Sequence, residues 1–291
     1  MSFLFCFGLG YVARTLALRL KAKGWDVAGT SRGEVGLQSI QNLGCSAYRF
    51  DGSSVLPEKA LDSATHVLVS APPDEAGDPV LRACERQLAG RARQFAWVGY
   101  LSTTGVYGDH GGGRVDETTP PAPVTERGAR RLEAENDWLR LCRDHGVPVH
   151  IFRLPGIYGP GRNQFASIVI GTAKRLVKPG QVFSRVHVED IAGVLEASMM
   201  RPSPGRIYNV ADDEPAPPQD VVAFAAALLG RPPPPEVPLE EAALSPMAQS
   251  FYGESKRVSN RRIKDDLGYR LLYPSYREGL RALAASLPHR P

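Results

Sequence analysis

Cysteine is scarce in this 291-residue chain, with four residues far apart at Cys6, Cys45, Cys84 and Cys142. No C-x-x-C pair occurs, which excludes a disulfide framework and a thiolate zinc site, and no metal is expected. Unpaired cysteines fit a reduced compartment. No run reaches the roughly 18 apolar residues that a membrane span needs. The apolar start, MSFLFCFGLG, lacks a basic flank and is broken by glycines. It therefore reads as a buried strand, not a signal peptide. Lysine is rare too, with 7 against 28 arginines, and the net charge is only +4. That charge is too small and too mixed in sign to point to nucleic acid. These absences lead to the expectation of a cytoplasmic protein with neither a nucleic-acid nor a membrane partner.

What is present is an ordinary globular composition, 43% hydrophobic and 23% charged. The length allows about two domains. Proline is the unusual component. Of 25 prolines, only Pro57, Pro72, Pro73 and Pro79 lie in residues 1–119, and the other 21 follow. A regular first part is succeeded by a loop-rich one.

The first part alternates strands and helices. Strands are predicted at 2–7, 25–30, 46–50 (closed by Asp51), 66–70 (ended by Pro72-Pro73), 95–101 and 149–154. Helices are predicted at 9–23, 80–92 and 126–145. Repeated βα units imply an α/β fold with a parallel sheet covered on both faces. Beyond Pro155 the pattern loosens into helices at 165–175, 188–200, 218–229, 254–267 and 278–287. The proline run 232–235 reads as a stiff spacer.

Gly8-Leu9-Gly10-Tyr11-Val12-Ala13 matches G-x-G-x-x-A directly after a strand and at the opening of a helix. That context turns a weak pattern into a dinucleotide fingerprint. Gly8 permits the tight turn, Gly10 the approach of a diphosphate, and Ala13 close helix–strand packing. The helix N-terminus supplies unspent N–H groups and a positive dipole end. The second strand ends Gly29-Thr30-Ser31-Arg32, where NAD sites place a carboxylate, and Asp26 lies at the wrong end. A guanidinium there suits a 2′-phosphate. NADP(H) is therefore expected over NAD(H), with NAD(H) an alternative.

Further segments join the fingerprint: 102–108 (STTGVYG), 153–160 (RLPGIYGP) and 186–190 (VHVED), with weaker matches at 208–210 and 267–269. Together they resemble the extended short-chain dehydrogenase/reductase superfamily, the NAD-dependent epimerases and dehydratases. The resemblance implies a Rossmann-like, doubly wound parallel sheet with a smaller C-terminal substrate domain. The first unit would span 1–159, with 184–200 returning to it, and the second 160–183 and 201–291. It places the cofactor against Gly8, Gly10, Tyr11, Val12, Arg32, Asp51, Ser70, Ala71, Pro72, Arg131 and Pro155. A homodimer is the candidate assembly.

The family's chemistry uses a Tyr acid/base, a Lys four residues on, and a Ser or Thr that orients the substrate oxygen. Thr103, with Thr104 beside it, keeps the last. The Tyr-Gly-x-Ser-Lys pattern aligns with Arg127-Gly128-Ala129-Arg130-Arg131, so Arg127 and Arg131 stand in place of Tyr and Lys. The chain thus resembles the atypical members. An arginine stays protonated and cannot shuttle a proton. Arg131 retains donors for ribose hydroxyls. Like charges at i, i+4 repel unless an anion lies between them; alternatively the helix is solvated, with pairs Glu126–Arg130 and Arg131–Glu135.

Gly156 replaces the Asn that commonly touches a sugar nucleotide. Phe183 replaces a diphosphate-gripping arginine, with Arg185 offset by two on the same strand face. Both speak against a nucleotide-sugar substrate. Tyr107 and Tyr158 are candidate substitute acids. Asp109, His110 and Glu117 border a glycine loop, 111–113, that would close over a substrate. His187 reads as a core histidine. Two functions stay open: an NADP(H)-dependent oxidoreductase or epimerase/dehydratase acting on a small anionic or carbonyl substrate, and a catalytically inactive cofactor-binding sensor or assembly protein.

Overall fold

The computed structural model describes residues 2–287. Its centre is a seven-stranded sheet. The strands are β1 (Phe3–Phe7), β2 (Asp26–Ser31), β3 (Ser46–Arg49), β4 (His66–Val69), β5 (Trp97–Thr103), β6 (Val149–Leu154) and β7 (Ile207–Asn209). They run parallel in the order β7-β6-β5-β4-β1-β2-β3. This is a Rossmann-like α/β sheet whose order reverses between β1 and β4. Such a switch point opens a crevice outside the carboxyl ends of the strands.

Both faces of the sheet are covered, which is why β1 reads as an unbroken apolar run. Leu4 and Cys6 belong to a core under helices α1 (Tyr11–Lys21) and α5 (Val188–Met200). Phe5 and Phe7 point the other way, into a core closed by α3 (Pro79–Gly90) and α4 (Glu126–His145). A third, smaller core joins Tyr158, Phe165 and Ile168 to α6 (Pro218–Leu228) and α7 (Tyr276–Ala285).

Strand and helix positions in the first part agree with the sequence pattern, and α4 and β6 agree at both ends. Gly146, at φ +72°, stops α4 with a left-handed cap. Three readings need correction. Helix α2 (Glu34–Asn42) was missed: it is short, and only Ile40 of it is buried. The segment 254–267 is not one helix. Arg257–Val258 is extended and pairs with Arg114–Val115, and only Arg261–Asp265 is helical. Its basic residues are drawn to separate partners: Lys256 to the Gly108 carbonyl, Arg262 to that of Ile207. The helix at 165 ends at Val169, and Arg175–Val177 pairs as a strand with Glu236–Pro238. Among the described residues no helix is long and apolar enough to cross a membrane.

Helix α4 is fixed to the sheet by charge. Glu135 and Arg153, from α4 and β6, are both buried and bond through Nη2–Oε2 at 2.7 Å and Nε–Oε1 at 3.1 Å. The Ser102 hydroxyl of β5 donates to the same carboxylate. Further along α4, Trp138 donates to Asp78, whose carboxylate also caps α3. Removing one partner of a buried ion pair strands the other. Glu135→Ala is expected to cost about 3–5 kcal/mol, read as a lowered urea midpoint at unchanged slope. A loss below about 1 kcal/mol, as for a surface pair, would refute the anchoring role.

Candidate active site

The fingerprint forms the turn that its residues predict. Gly8 has φ +82°, and a Cβ there would lie 3.2 Å from the Ala71 nitrogen. The missing side chain lets β1 and β4 converge at the switch point. The Gly8 N–H donates to Thr30 Oγ1 at 2.8 Å, tying the turn to β2. Gly10 precedes α1 without any side-chain cap, so the first-turn N–H groups keep their capacity for an anion. A Cβ on Gly10 would meet nothing nearer than Ser70 Oγ at 3.9 Å. Gly8, Gly10, Ser70 and Ala71 thus share one rim. Val12 is buried and offers only its backbone. This glycine-lined, uncapped helix start fits a diphosphate.

The other expected cofactor residues are more dispersed. Arg32 is exposed at the end of β2, with Pro72 exposed and Pro155 half-buried at the ends of β4 and β6. Asp51 is turned into its own loop, accepting from the Ser53 N–H (2.9 Å) and hydroxyl (2.6 Å). Arg14 escaped the sequence reading. From the first turn of α1 it reaches Ser39 of α2 at 3.4 Å. Its signal was a second arginine, four residues after Gly10.

A second loop closes on the first. Tyr11 donates to the Pro160 carbonyl at 3.0 Å across 149 residues of sequence. A Cβ on Gly159 would fall 2.6 Å from the Tyr11 oxygen, so only glycine allows this approach. The Arg162 guanidinium lies over the Tyr11 ring, 5.8 Å from its centroid.

Helix α4 begins against β5. Thr125 caps it by accepting the Gly128 N–H at 3.1 Å. A Cβ on Gly128 would sit 2.9 Å from the Gly105 carbonyl oxygen, so this glycine lets the helix lean on the turn at 104–107. Thr103 accepts the Gly105 N–H at 3.1 Å, and Thr104 beside it is buried. Arg131 is only 8% exposed, and its Nη1 donates to the Leu101 carbonyl (2.7 Å) and the Tyr100 hydroxyl (3.2 Å). The expected Arg131–Glu135 pair does not form, because Glu135 is consumed by Arg153 and Ser102. The Glu126–Arg130 pair does form, at 3.1 Å. Arg127 is exposed over the Phe251 ring, at 5.8 Å. Partial burial and the nearby charges of Arg131 and Arg162 push its proton affinity down.

The candidate substitute acids lie in the core. Tyr107 is fully buried, donates to Asn209 Oδ1 at 2.9 Å and carries the Arg153 guanidinium over its ring. Tyr158 donates to the Ser275 carbonyl at 3.3 Å. Burial, foremost, raises both phenols above the ordinary range. Their hydroxyls serve as tethers between segments.

The glycine loop is not free to close. His110 and Gly112 donate to the Ser255 carbonyl, and Arg257 donates back to Gly113. Glu117 accepts the Asn209 N–H at 2.7 Å. Arg185 is spent on the Phe183 and Ala216 carbonyls, at 2.8 and 3.0 Å. His187 is a core residue: Nδ1 accepts the Glu189 N–H, Tyr273 and Tyr158 flank the ring, and burial lowers its pKa to about 4.

One group had no sequence signal. Asp212 is 2% exposed, and neither carboxylate oxygen is bonded by a partner within hydrogen-bonding distance in the described structure. Burial raises its pKa to about 8, against the pull of Arg185.

Comparison with known proteins agrees with this fold. Residues 76–211 match the model of the NAD dependent epimerase/dehydratase family. Protein YeeZ of Escherichia coli (strain K12) is 31% identical over 281 residues, covering 92% of this chain and 94% of YeeZ. The chain belongs to the NAD-dependent epimerase/dehydratase family, within the extended short-chain dehydrogenases/reductases. A conserved protein of unknown function from Silicibacter pomeroyi has a solved structure 54% identical to this chain. It superposes with a TM-score of 0.91, over 98% of this chain and 99% of that one. A 3-diazoavenalumate denitrifying reductase from a Streptomyces species is 29% identical over 177 residues, 57% of this chain and 55% of the reductase.

Because Asp212 is neutral in the fold near pH 7 and ionises near 3.8 when unfolded, its stabilising contribution is complete below about pH 4 and is lost as pH rises through about 8. The slope reaches at most about 1.4 kcal/mol per pH unit for one proton. Asp212→Asn is expected to flatten the pH 5–9 stability profile and to stabilise the protein at pH 8–9. Parallel profiles for the two proteins in chemical denaturation would refute this reading.

Proposed function

We propose that this protein is an NADP(H)-dependent oxidoreductase that acts on a small anionic or carbonyl substrate without a Tyr/Lys proton relay. The observation that carries the reading is the uncapped start of α1, framed by Gly8 and Gly10 at the switch point. The parallel sheet brings Ser70, Thr103 and Pro155 to the same carboxyl edge. The NAD-dependent family and the reductase among its relatives support redox chemistry over binding alone.

In this reading the backbone of Tyr11 and Val12 holds the diphosphate, and Ser70, Ala71, Pro72 and Pro155 line the dinucleotide groove. Arg32, assisted by Arg14, binds a 2′-phosphate by charge-assisted hydrogen bonds. Arg131, pinned by Leu101, keeps its remaining N–H groups for the ribose hydroxyls. The cofactor, when bound, supplies or accepts a hydride. Thr103 orients the substrate oxygen, and Arg127 balances negative charge on the substrate. The proton exchanges with solvent at the Thr103 hydroxyl, because Tyr107 and Tyr158 are tied down in the core.

Fluorescence titration with both reduced cofactors tests the first step. NADPH is expected to bind more tightly than NADH. Arg32→Ala is expected to weaken NADPH about 10-fold or more, as for loss of a charged hydrogen bond, while leaving NADH unchanged. Tighter binding of NADH would refute the preference, and binding of neither would refute the reading. Turnover on a panel of carbonyl compounds is expected to fall with Thr103→Ala and to persist in Tyr107→Phe. Tight binding without turnover would favour a sensor, the reading that loss of the Tyr/Lys pair supports.

A further inference from the structure

Three arginines meet at the mouth of the cleft, and none has a carboxylate within ion-pair distance among the described residues. They are Arg127, Arg131 and Arg162. Elsewhere some arginines pair with acids, as Arg19 does with Glu189 and Glu196 and Arg277 with Glu214, while others, Arg185 and Arg231 among them, bond to backbone carbonyls. What sets this place apart is proximity: Arg131 and Arg162 both lie close enough to act on the charge of Arg127. It is also costly. Arg127 lies in the first turn of a 20-residue helix, where the dipole is positive and a cation is disfavoured. Its neighbour at i+4 is another cation.

The two outer guanidiniums are held ready. Arg162 sits on a loop closed by reciprocal Gly159–Arg162 backbone bonds of 3.0 Å. That loop is pinned by Asn163 to the Gly159 carbonyl and by Tyr11 to the Pro160 carbonyl, both at 3.0 Å. Arg162 rests on Tyr11, and Arg127 rests on Phe251. An aromatic face orients a guanidinium and leaves its N–H edge for a planar, two-oxygen acceptor. Phe251 is 53% exposed, and its neighbour Tyr252 packs edge-on against Phe183 at 5.3 Å. An apolar wall thus stands beside the unpaired charge.

We propose that Arg127 and Arg162 form a carboxylate clamp, and that the substrate is a small organic acid whose flat apolar body lies on Phe251. The clamp refines the substrate assignment above and rests on that reading of the cleft. It also accounts for the replacement of Tyr by Arg at position 127: the position has changed from proton transfer to charge recognition. A carboxylate bound bidentately removes the repulsion among the three arginines, and so couples substrate binding to the start of α4. Arg131, buried and already bonded, stays on the cofactor side.

Benzoate, its neutral isostere benzamide, acetate and inorganic phosphate serve as probes in calorimetric titrations of the protein saturated with NADP⁺. Benzoate is expected to bind at least tenfold more tightly than benzamide, and more tightly than acetate or phosphate. Arg127→Gln should abolish the preference for benzoate over benzamide, Arg127→Lys should retain part of it, and Arg162→Gln should weaken benzoate tenfold. Phe251→Ala should weaken benzoate but not acetate. Both arginines are exposed, so these variants are expected to melt with the wild type, which thermal unfolding checks. Equal affinity for benzoate and benzamide overturns the clamp, as does phosphate binding best. So does an Arg162→Gln variant that loses NADP⁺ affinity and keeps benzoate. The same titrations without cofactor separate the two readings. Benzoate binding that depends on Arg127, in a protein that takes no NADP(H), supports the clamp and overturns the oxidoreductase.

Discussion

The buried pair between Glu135 and Arg153 organises the functional half of this protein. Two charges at least 97% shielded from solvent bear a desolvation penalty that only good geometry offsets. Here the fork of Arg153 meets both carboxylate oxygens, and Ser102 satisfies the acid further. Three elements, α4, β5 and β6, are thereby fixed in one register. Everything at the cleft hangs from them: Thr103 at the end of β5, Pro155 after β6, and Arg127 and Arg131 at the start of α4. Arg153 also covers Tyr107, so the same pair helps to hold that tyrosine in the core.

The pair has an electrostatic consequence as well. Glu135 stands four residues after Arg131, where a helix would ordinarily form an ion pair. Arg153 claims it. Arg131 is left with a carbonyl and a phenol as partners. Among the described residues the cleft therefore presents three arginines without a carboxylate partner, two of them, Arg127 and Arg131, at the positions that align with the family's tyrosine and lysine.

Much of the fold was legible because it follows from short-range rules. β1 is buried on both faces and is therefore continuously apolar; α4 carries its threonine cap and glycine stop in the sequence. The glycine fingerprint signals a backbone conformation that only its own residues decide. Helix α2 and the strand at 257–258 were not legible. One buries a single side chain, and the other exists only because Arg114–Val115 lies beside it. At the site, Thr103 and the Gly8–Gly10 turn were visible, whereas the closure of Tyr11 on Pro160, the loss of Glu135 to Arg153 and the isolation of Asp212 were not. Each of these joins residues from distant segments and leaves no periodic trace.

The sequence alone determined the parallel α/β sheet, the glycine turn after β1 and the arginines at 127 and 131, since each is written in residue type and local spacing. Only the tertiary structure decided how those two arginines are held. Whether Arg127 and Arg131 are a solvated helix face or an unneutralised pair depends on where the acids go. Those destinations are set by packing between segments, which distributes a limited number of carboxylates to the sites where burial makes a counter-charge indispensable.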